Sequence, residues 1–334
     1  MRKMLHISSS PHIHSGDSIS RNMYGVLIAL CPALLVGFAT FGLGALIVTA
    51  TSVSCCLLFE WLLVKYLFKS QKQTLGDGSA LLTGVLLAMN LPSNLPLWII
   101  ILGSFFAIAV VKMSFGGLGC NLFNPALAAR VFLLISFPVQ MTSWPKPLQL
   151  TQYVDAETGA TPLALMKAAA KGGDMEGMLA QTKHIWDYFL GFNMGGSMGE
   201  ASALALLIGL MYLLWRRIIT WHIPVSIFVG AAAFSGILHI MAPNTYASPL
   251  MHLFTGGLML GAIFMATDYV TSPMTHKGQL IYGVMIGFLT ILIRSFGAYP
   301  EGVSFAILIM NAFTPLINMY CKPKRFGSQE AAKV

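Results

Sequence analysis

Charge is what this sequence has least of. Asp, Glu, Lys and Arg make up 10% of its 334 residues, where soluble domains carry roughly 25%. With 56% hydrophobic residues and a mean hydropathy of +0.73, most of the surface must face something other than water. Paired-thiol chemistry is missing as well. The five cysteines (Cys31, Cys55, Cys56, Cys120 and Cys321) show neither metal-ligand spacing nor a disulfide framework. Four sit in or beside apolar runs as small hydrophobes, and only Cys120 adjoins a glycine cluster. No metal site is expected from this chain alone. A nucleotide-binding Gly-rich βαβ signature and a four-cysteine cluster motif are also lacking. Residues 1–21 are polar, with His6, His12 and His14, and hold no apolar core of a cleavable signal. The net charge of +8 does not imply nucleic acid, because Lys and Arg gather in the cytoplasmic loops of membrane proteins.

What is present is apolar sequence in blocks. A bilayer core about 30 Å thick takes roughly 20 residues of helix. Clear spans are 22–41, 42–68, 96–112, 200–215, 223–241, 279–293 and 303–320, and shorter or interrupted ones are 79–91, 125–139 and 249–267. The fold expected is an all-α polytopic membrane protein of about ten transmembrane helices. An even number puts both termini on one side. With the N-terminus inside, 14 of the 20 Lys and Arg lie in inner loops and tails, which makes that side cytoplasmic. The organisation expected is an inner tail (1–21), five helices (22–141), a long outer loop (142–199), five helices (200–320) and an inner tail (321–334). The halves echo each other: Thr83-Gly84, a proline break, a span and Phe115-Gly116 recur as Thr255-Gly256, Pro273, a span and Phe296-Gly297. Five spans per half would make these inverted repeats, which place binding sites where broken helices meet near the midplane.

The outer loop carries the most specific string, Asp155-Ala156-Glu157-Thr158-Gly159-Ala160-Thr161-Pro162-Leu163. A threonine oxygen is a weak nucleophile that needs an enzyme to activate it, and Pro162 favours extended backbone at Thr161, as an acceptor loop requires. The plain structural reading is a helix start, with Thr161 capping Pro162-Leu163-Ala164.

This string resembles the flavinylation signal Asp-x-x-Ser/Thr-x-Ala-Thr of the RnfD/NqrB family of redox-driven ion pumps. The resemblance extends over almost the whole chain, through Ser8-Ser9-Ser10-Pro11-His12, Asp77-Gly78-Ser79-Ala80-Leu81-Leu82-Thr83-Gly84, Gly119-Cys120-Asn121-Leu122-Phe123-Asn124-Pro125, Trp221-His222-Ile223-Pro224, Ala266-Thr267-Asp268 and Ile293-Arg294-Ser295-Phe296-Gly297. Its compact length and short N-terminal tail are closer to the RnfD branch. The resemblance implies FMN joined through a phosphodiester to Thr161 by a flavin transferase that reads Asp155, Thr158 and Ala160. It further implies a non-covalent riboflavin within the bundle. The chain would be an electron-transfer subunit, not a complete enzyme, in a bacterial or archaeal inner-membrane complex. With other Rnf subunits handling NAD and iron–sulfur chemistry, that complex would pass electrons between ferredoxin and NAD⁺ while Na⁺ or H⁺ crosses the membrane. Ala156, where the family often has glycine, is a mild departure.

Further candidates follow from chemistry at membrane depth. Asn124, opening the 125–139 span, could hold a flavin edge or an anion at a helix N-terminus; helix capping explains it equally well. Ser197-Met198-Gly199-Glu200 fits a capping box, and Ser197 could also lie near the FMN phosphate. Asp268, Arg130 and Arg294 must face a cavity or a partner, as an ion route or a structural pair. Glu60 is expected to snorkel. Trp61, Trp98, Trp144, Trp215 and Trp221 read as an aromatic belt. The competing function is a flavin-free solute transporter or channel, in which inverted repeats would be as natural but the string ending at Thr161 would have no purpose.

Overall fold

The computed structural model describes residues 18–68, 75–153, 156–172, 185–191 and 195–323. Asp155, most of the N-terminal tail with its histidines, and the far C-terminus lie outside the described residues. Among the described residues the chain is helical, with a single isolated antiparallel bridge from Pro145 to Thr158.

Helix α1, Ile19–Leu62, shows how a glycine divides an apolar run. A straight helix of that length would run about 66 Å, twice the hydrocarbon core. It breaks at Gly42, whose φ of 59° and ψ of −135° are not helical. A Cβ there would lie 2.3 Å from the Leu150 carbonyl oxygen, so the close approach also demands glycine. The two limbs return to the same end of the bundle. Asn22 and Met23 line a cleft with Lys112, and the Lys112 ammonium lies 2.6 Å from Glu60. A straight helix would hold Asn22 and Glu60 about 57 Å apart. The limbs match the expected 22–41 and 42–68 segments.

Short helix α2 (Ser79–Met89) stops at Asn90, ahead of Pro92 and Pro96. Helix α3 (Leu97–Phe105) continues as the wider π-wound Phe106–Met113. Helix α4 (Pro125–Ser136) starts where sequence chemistry says it should: Pro125 takes the first position and the Asn124 Oδ1 accepts from Ala126 N at 3.1 Å and Leu127 N at 3.3 Å. Then come α5 (Pro162–Gly172), α6 (Ala203–Trp215), α7 (His222–Met241), α8 (Pro249–Phe254), α9 (His276–Phe296) and α10 (Val303–Tyr320). The 249–267 segment is interrupted, as its glycines suggested: α8 ends at Thr255, Gly256 takes φ of 72°, and helix resumes at Leu258.

Four described helices are long and apolar enough to cross a membrane: Ile19–Leu67, His222–Met241, His276–Phe296 and Val303–Tyr320. Shorter apolar helices, Ser79–Met89, Leu97–Met113, Pro125–Ser136 and Ala203–Trp215, accompany them. The chain is a multi-pass membrane protein. Its apolar residues lie on both sides of the helices: Leu30, Leu87, Ile99, Ile100 and Leu133 are buried, while Leu35, Ile208, Val229 and Ile240 point outward. Lipid is as apolar as leucine, so interior packing and interhelical hydrogen bonds hold such a bundle together. Tyr282 on α9 donates to Asn311 on α10 at 2.7 Å, and Thr314 donates to the Thr271 carbonyl at 2.9 Å. Trp61, Trp98, Trp215 and Trp221 are exposed, as a belt requires, but Trp144 is buried because the loop closes over it.

Candidate functional site

The segment leading to Thr161 is held extended by a strip of backbone pairing. Lys146 N donates to the Glu157 carbonyl at 2.8 Å and Gly159 N to the Trp144 carbonyl at 2.9 Å. Gln149 clamps Glu157 from both sides, its Oε1 accepting from Glu157 N at 2.8 Å and its Nε2 donating to Glu157 O at 3.1 Å. The Lys146 ammonium sits 2.9 Å from the Glu157 carboxylate, and its hydrogen bond and charge hold that carboxyl below the usual range. The strip is anchored to the α1 break: Leu148 N donates to Thr40 O and Leu43 N to Leu150 O, both at 2.8 Å. Thr158 and Ala160 are exposed on it.

Thr161 itself is 5% exposed. Its Oγ1 accepts from Ala164 N at 3.2 Å, so it caps α5. The expected accessible acceptor is therefore realised only up to Ala160. Beyond it the helix folds down, burying Leu163 and Met166 against Ala247 and Met251. The Lys167 ammonium donates to the Gly297 carbonyl at 2.5 Å.

Two buried arginines, of which Arg294 lies beneath α5, pair with other groups and not with each other. Arg294 donates from Nη1 to the His252 carbonyl at 2.6 Å and from Nη2 to the Thr255 carbonyl at 3.0 Å. Those are end carbonyls of α8, where a cation is favoured. The Nε of Arg294 has no partner, nor does Nδ1 of His252. Gly256 fits between this guanidinium and α5: a Cβ there would meet Leu163 Cδ1 at 2.3 Å and Arg294 Nη2 at 2.9 Å. Arg130, on α4, is ion-paired to Glu301 and donates to Asn90 Oδ1 at 3.0 Å and Ser304 Oγ at 2.9 Å. Glu200 joins this group, since a Cβ at Gly257 would lie 3.6 Å from Arg130 Nη1 and 3.7 Å from Glu200 Oε1. That explains a correction. Ser197 precedes a single 3-10 turn and makes no capping bond, because Glu200 is drawn inward toward the arginines; Ser202 caps α6 instead, accepting from Ala205 N at 3.2 Å.

Asn124 and Asp268 meet at the other end of the bundle. A cleft of about 820 Å³, counting its open mouth, is lined there by Asn121, Asn124, Thr267, Asp268, Ser79 and Lys112 among apolar neighbours. Burial pushes the Asp268 carboxyl up, against hydrogen bonds from Val270 N, Thr271, Asn121 and Tyr269 N. Asn124 also donates to the Met265 carbonyl at 3.2 Å, and Asn90 Nδ2 lies 3.6 Å from Met265 Sδ. A line of polar side chains thus runs from the cleft through Asn124, Asn90 and Arg130 to Glu301, at the Thr161 end. Sequence reasoning missed Lys112, whose ammonium binds Glu60 at 2.6 Å and Ser79 at 2.7 Å. Glu60 is 1% exposed and does not snorkel. The rule that charges at membrane depth take partners would have paired the two.

Comparison with known proteins fits this arrangement. Residues 6–327 match the family described as NQR2, RnfD, RnfE. The chain is 47% identical to the D subunit of the Na(+)-translocating ferredoxin:NAD(+) oxidoreductase complex of Acetobacterium woodii, over 98% of this chain and 97% of that one. It is 43% identical to the D subunit of the proton-translocating ferredoxin:NAD(+) oxidoreductase complex of Clostridium ljungdahlii, over 97% and 96% of the two chains. With the D subunit of the ion-translocating oxidoreductase complex of Cronobacter sakazakii it shares 39% identity over 96% and 98%. The chain belongs to the NQR2, RnfD, RnfE family.

Proposed function

We propose that this chain is the RnfD-type membrane electron-transfer component of an Rnf complex, coupling electron transfer between ferredoxin and NAD⁺ to Na⁺ or H⁺ movement, and that it carries FMN on Thr161. The observation that supports this best is the meeting of the Asp155–Thr161 string with a suitable seat. Thr158 and Ala160 of the string are exposed, its last threonine opens a helix, and buried nitrogens without partners lie beneath that helix. A phosphodiester is anionic, and a helix N-terminus favours an anion. FMN, when bound, accepts and donates one or two electrons. The residues of this chain would fix its position, exclude water and balance its charge.

The cleft lined by Asn121, Asn124 and Asp268 is the place in this bundle that suits a non-covalent riboflavin. A few polar groups stand there among apolar walls, the character of a cofactor site. Two flavins at opposite ends would let electrons cross the bundle. The order of elements is compatible with ten spans in two inverted repeats, with the short α2 and the interrupted α8 segment in corresponding places. Both termini are cytoplasmic in this reading, the Thr161 loop is on the outer face, and a flavin transferase and the other Rnf subunits are the partners.

The test is in-gel flavin fluorescence after denaturation, on wild type and Thr161→Ala, each co-expressed with the transferase. A bright wild-type band and a dark variant band are expected. A dark wild-type band, with the transferase active on a known acceptor, would sink the flavin reading.

A further inference from the structure

The cavity beneath α5 has a one-sided chemistry. It spans about 340 Å³, counting its open mouth, and is lined by Leu163, Met166, Lys167 and Ala170 of α5 and by His252, Arg294 and Tyr246. Among the described residues, no carboxylate lines it. Arg294 and His252 are 4% and 7% exposed, and each keeps a nitrogen without a partner, Nε and Nδ1. A buried polar group left unpaired is costly, more so when charged, so two at one cavity point to a missing acceptor. The two carbonyls that Arg294 caps account for its Nη1 and Nη2, not for Nε.

Hydrogen bonding leads to the same kind of ligand. The Nε of Arg294 is a fixed donor, and the His252 ring can donate from Nδ1. An anion with several acceptor oxygens would satisfy both, which describes a phosphodiester. Leu163, which lines the cavity, is only about 3 Å of helix rise past Thr161, and the α5 N-terminus supplies a favourable dipole.

We propose that Arg294 and His252, with Lys167, form the seat for the phosphodiester of the flavin tethered at Thr161. This rests on the Thr161 attachment reading. Arg294 is then a positioning residue with two duties: its Nη atoms close the end of α8 and its Nε holds the phosphate. His252 contributes its ring to the phosphate, while its carbonyl serves Arg294. The His252 side chain can therefore be replaced without removing the bonds that fix the guanidinium.

The test is phosphorus NMR on the full chain, co-expressed with the flavin transferase, in a phosphate-free detergent, together with in-gel flavin fluorescence. Thr161→Ala identifies the tether, since lipid headgroup or free phosphate signals persist in that variant and the diester signal vanishes. In wild type the diester resonance should be displaced from its position in the unfolded protein. His252→Phe should reduce that displacement by about half and Arg294→Gln should abolish it, with in-gel fluorescence unchanged in both. A native resonance that coincides with the unfolded one overturns the seat while leaving attachment intact. So does a wild-type displacement kept in folded His252→Phe, even if Arg294→Gln fails to fold. A wild-type chain without covalent flavin overturns attachment and the seat together.

Discussion

Arg130 shows at the scale of one residue how a charge survives inside a bundle. It binds Glu301, Asn90 and Ser304 and is 4% exposed, so none of its hydrogen-bonding capacity is left facing lipid. Arg130→Met should destabilise the protein by about 3–5 kcal/mol, the cost of stranding a buried partner. The double variant with Glu301→Gln should recover part of the loss. Thermal unfolding in detergent reads both, and a single variant as stable as wild type would contradict the pairing. Sequence marked Arg130, Arg294 and Asp268 as needing partners, because a charge in an apolar run has few options. It did not say which partners. Asn90 and Glu301 lie far from Arg130 along the chain, as Asn121 does from Asp268, and only the fold brings them close. Thr161 was legible as both acceptor and helix cap; the structure shows the cap, made by the same oxygen atom that the acceptor reading requires.

Gly42 decides at the scale of an element whether α1 is one helix or two. Its positive φ costs an L-residue roughly 1–2 kcal/mol, and a Cβ would strike the Leu150 carbonyl. Gly42→Ala should therefore lower stability by at least that amount and loosen the 144–159 strip, which is bonded to the break through Leu43 N and Leu148 N. Protease cleavage within the strip, compared with wild type in the same detergent, measures the loosening; unchanged cleavage would mean that the break does not brace the loop. Element boundaries were legible where local chemistry sets them, as at Asn124-Pro125, where a cap and a first-turn proline coincide. They were not legible at Ser197–Glu200, because the capping-box pattern is local and the pull of two distant arginines on Glu200 is not.

Composition settles most at the scale of the whole molecule. Low charge and blocky hydropathy require a membrane protein, and the clustering of Lys and Arg predicts which side is which. A reporter active only in the cytoplasm should be active when fused after Tyr320 and silent when inserted in the 142–199 loop; the reverse pattern would invert the bundle. The burial of Thr161 remained hidden in the sequence, since an extended, accessible loop and a docked helix start share the same local signals. At this scale the bundle has a polar cleft at one end and, under the Thr161 helix at the other, a cavity lined by Arg294, His252 and Lys167.

The most direct measurement is mass spectrometry of the peptide that contains Thr158 and Thr161, from protein matured with the transferase. The prediction is an added FMN, joined with loss of water, with fragment ions placing it on Thr161. An unmodified peptide from protein shown to be exposed to active transferase, or a flavin located on Thr158, would contradict it.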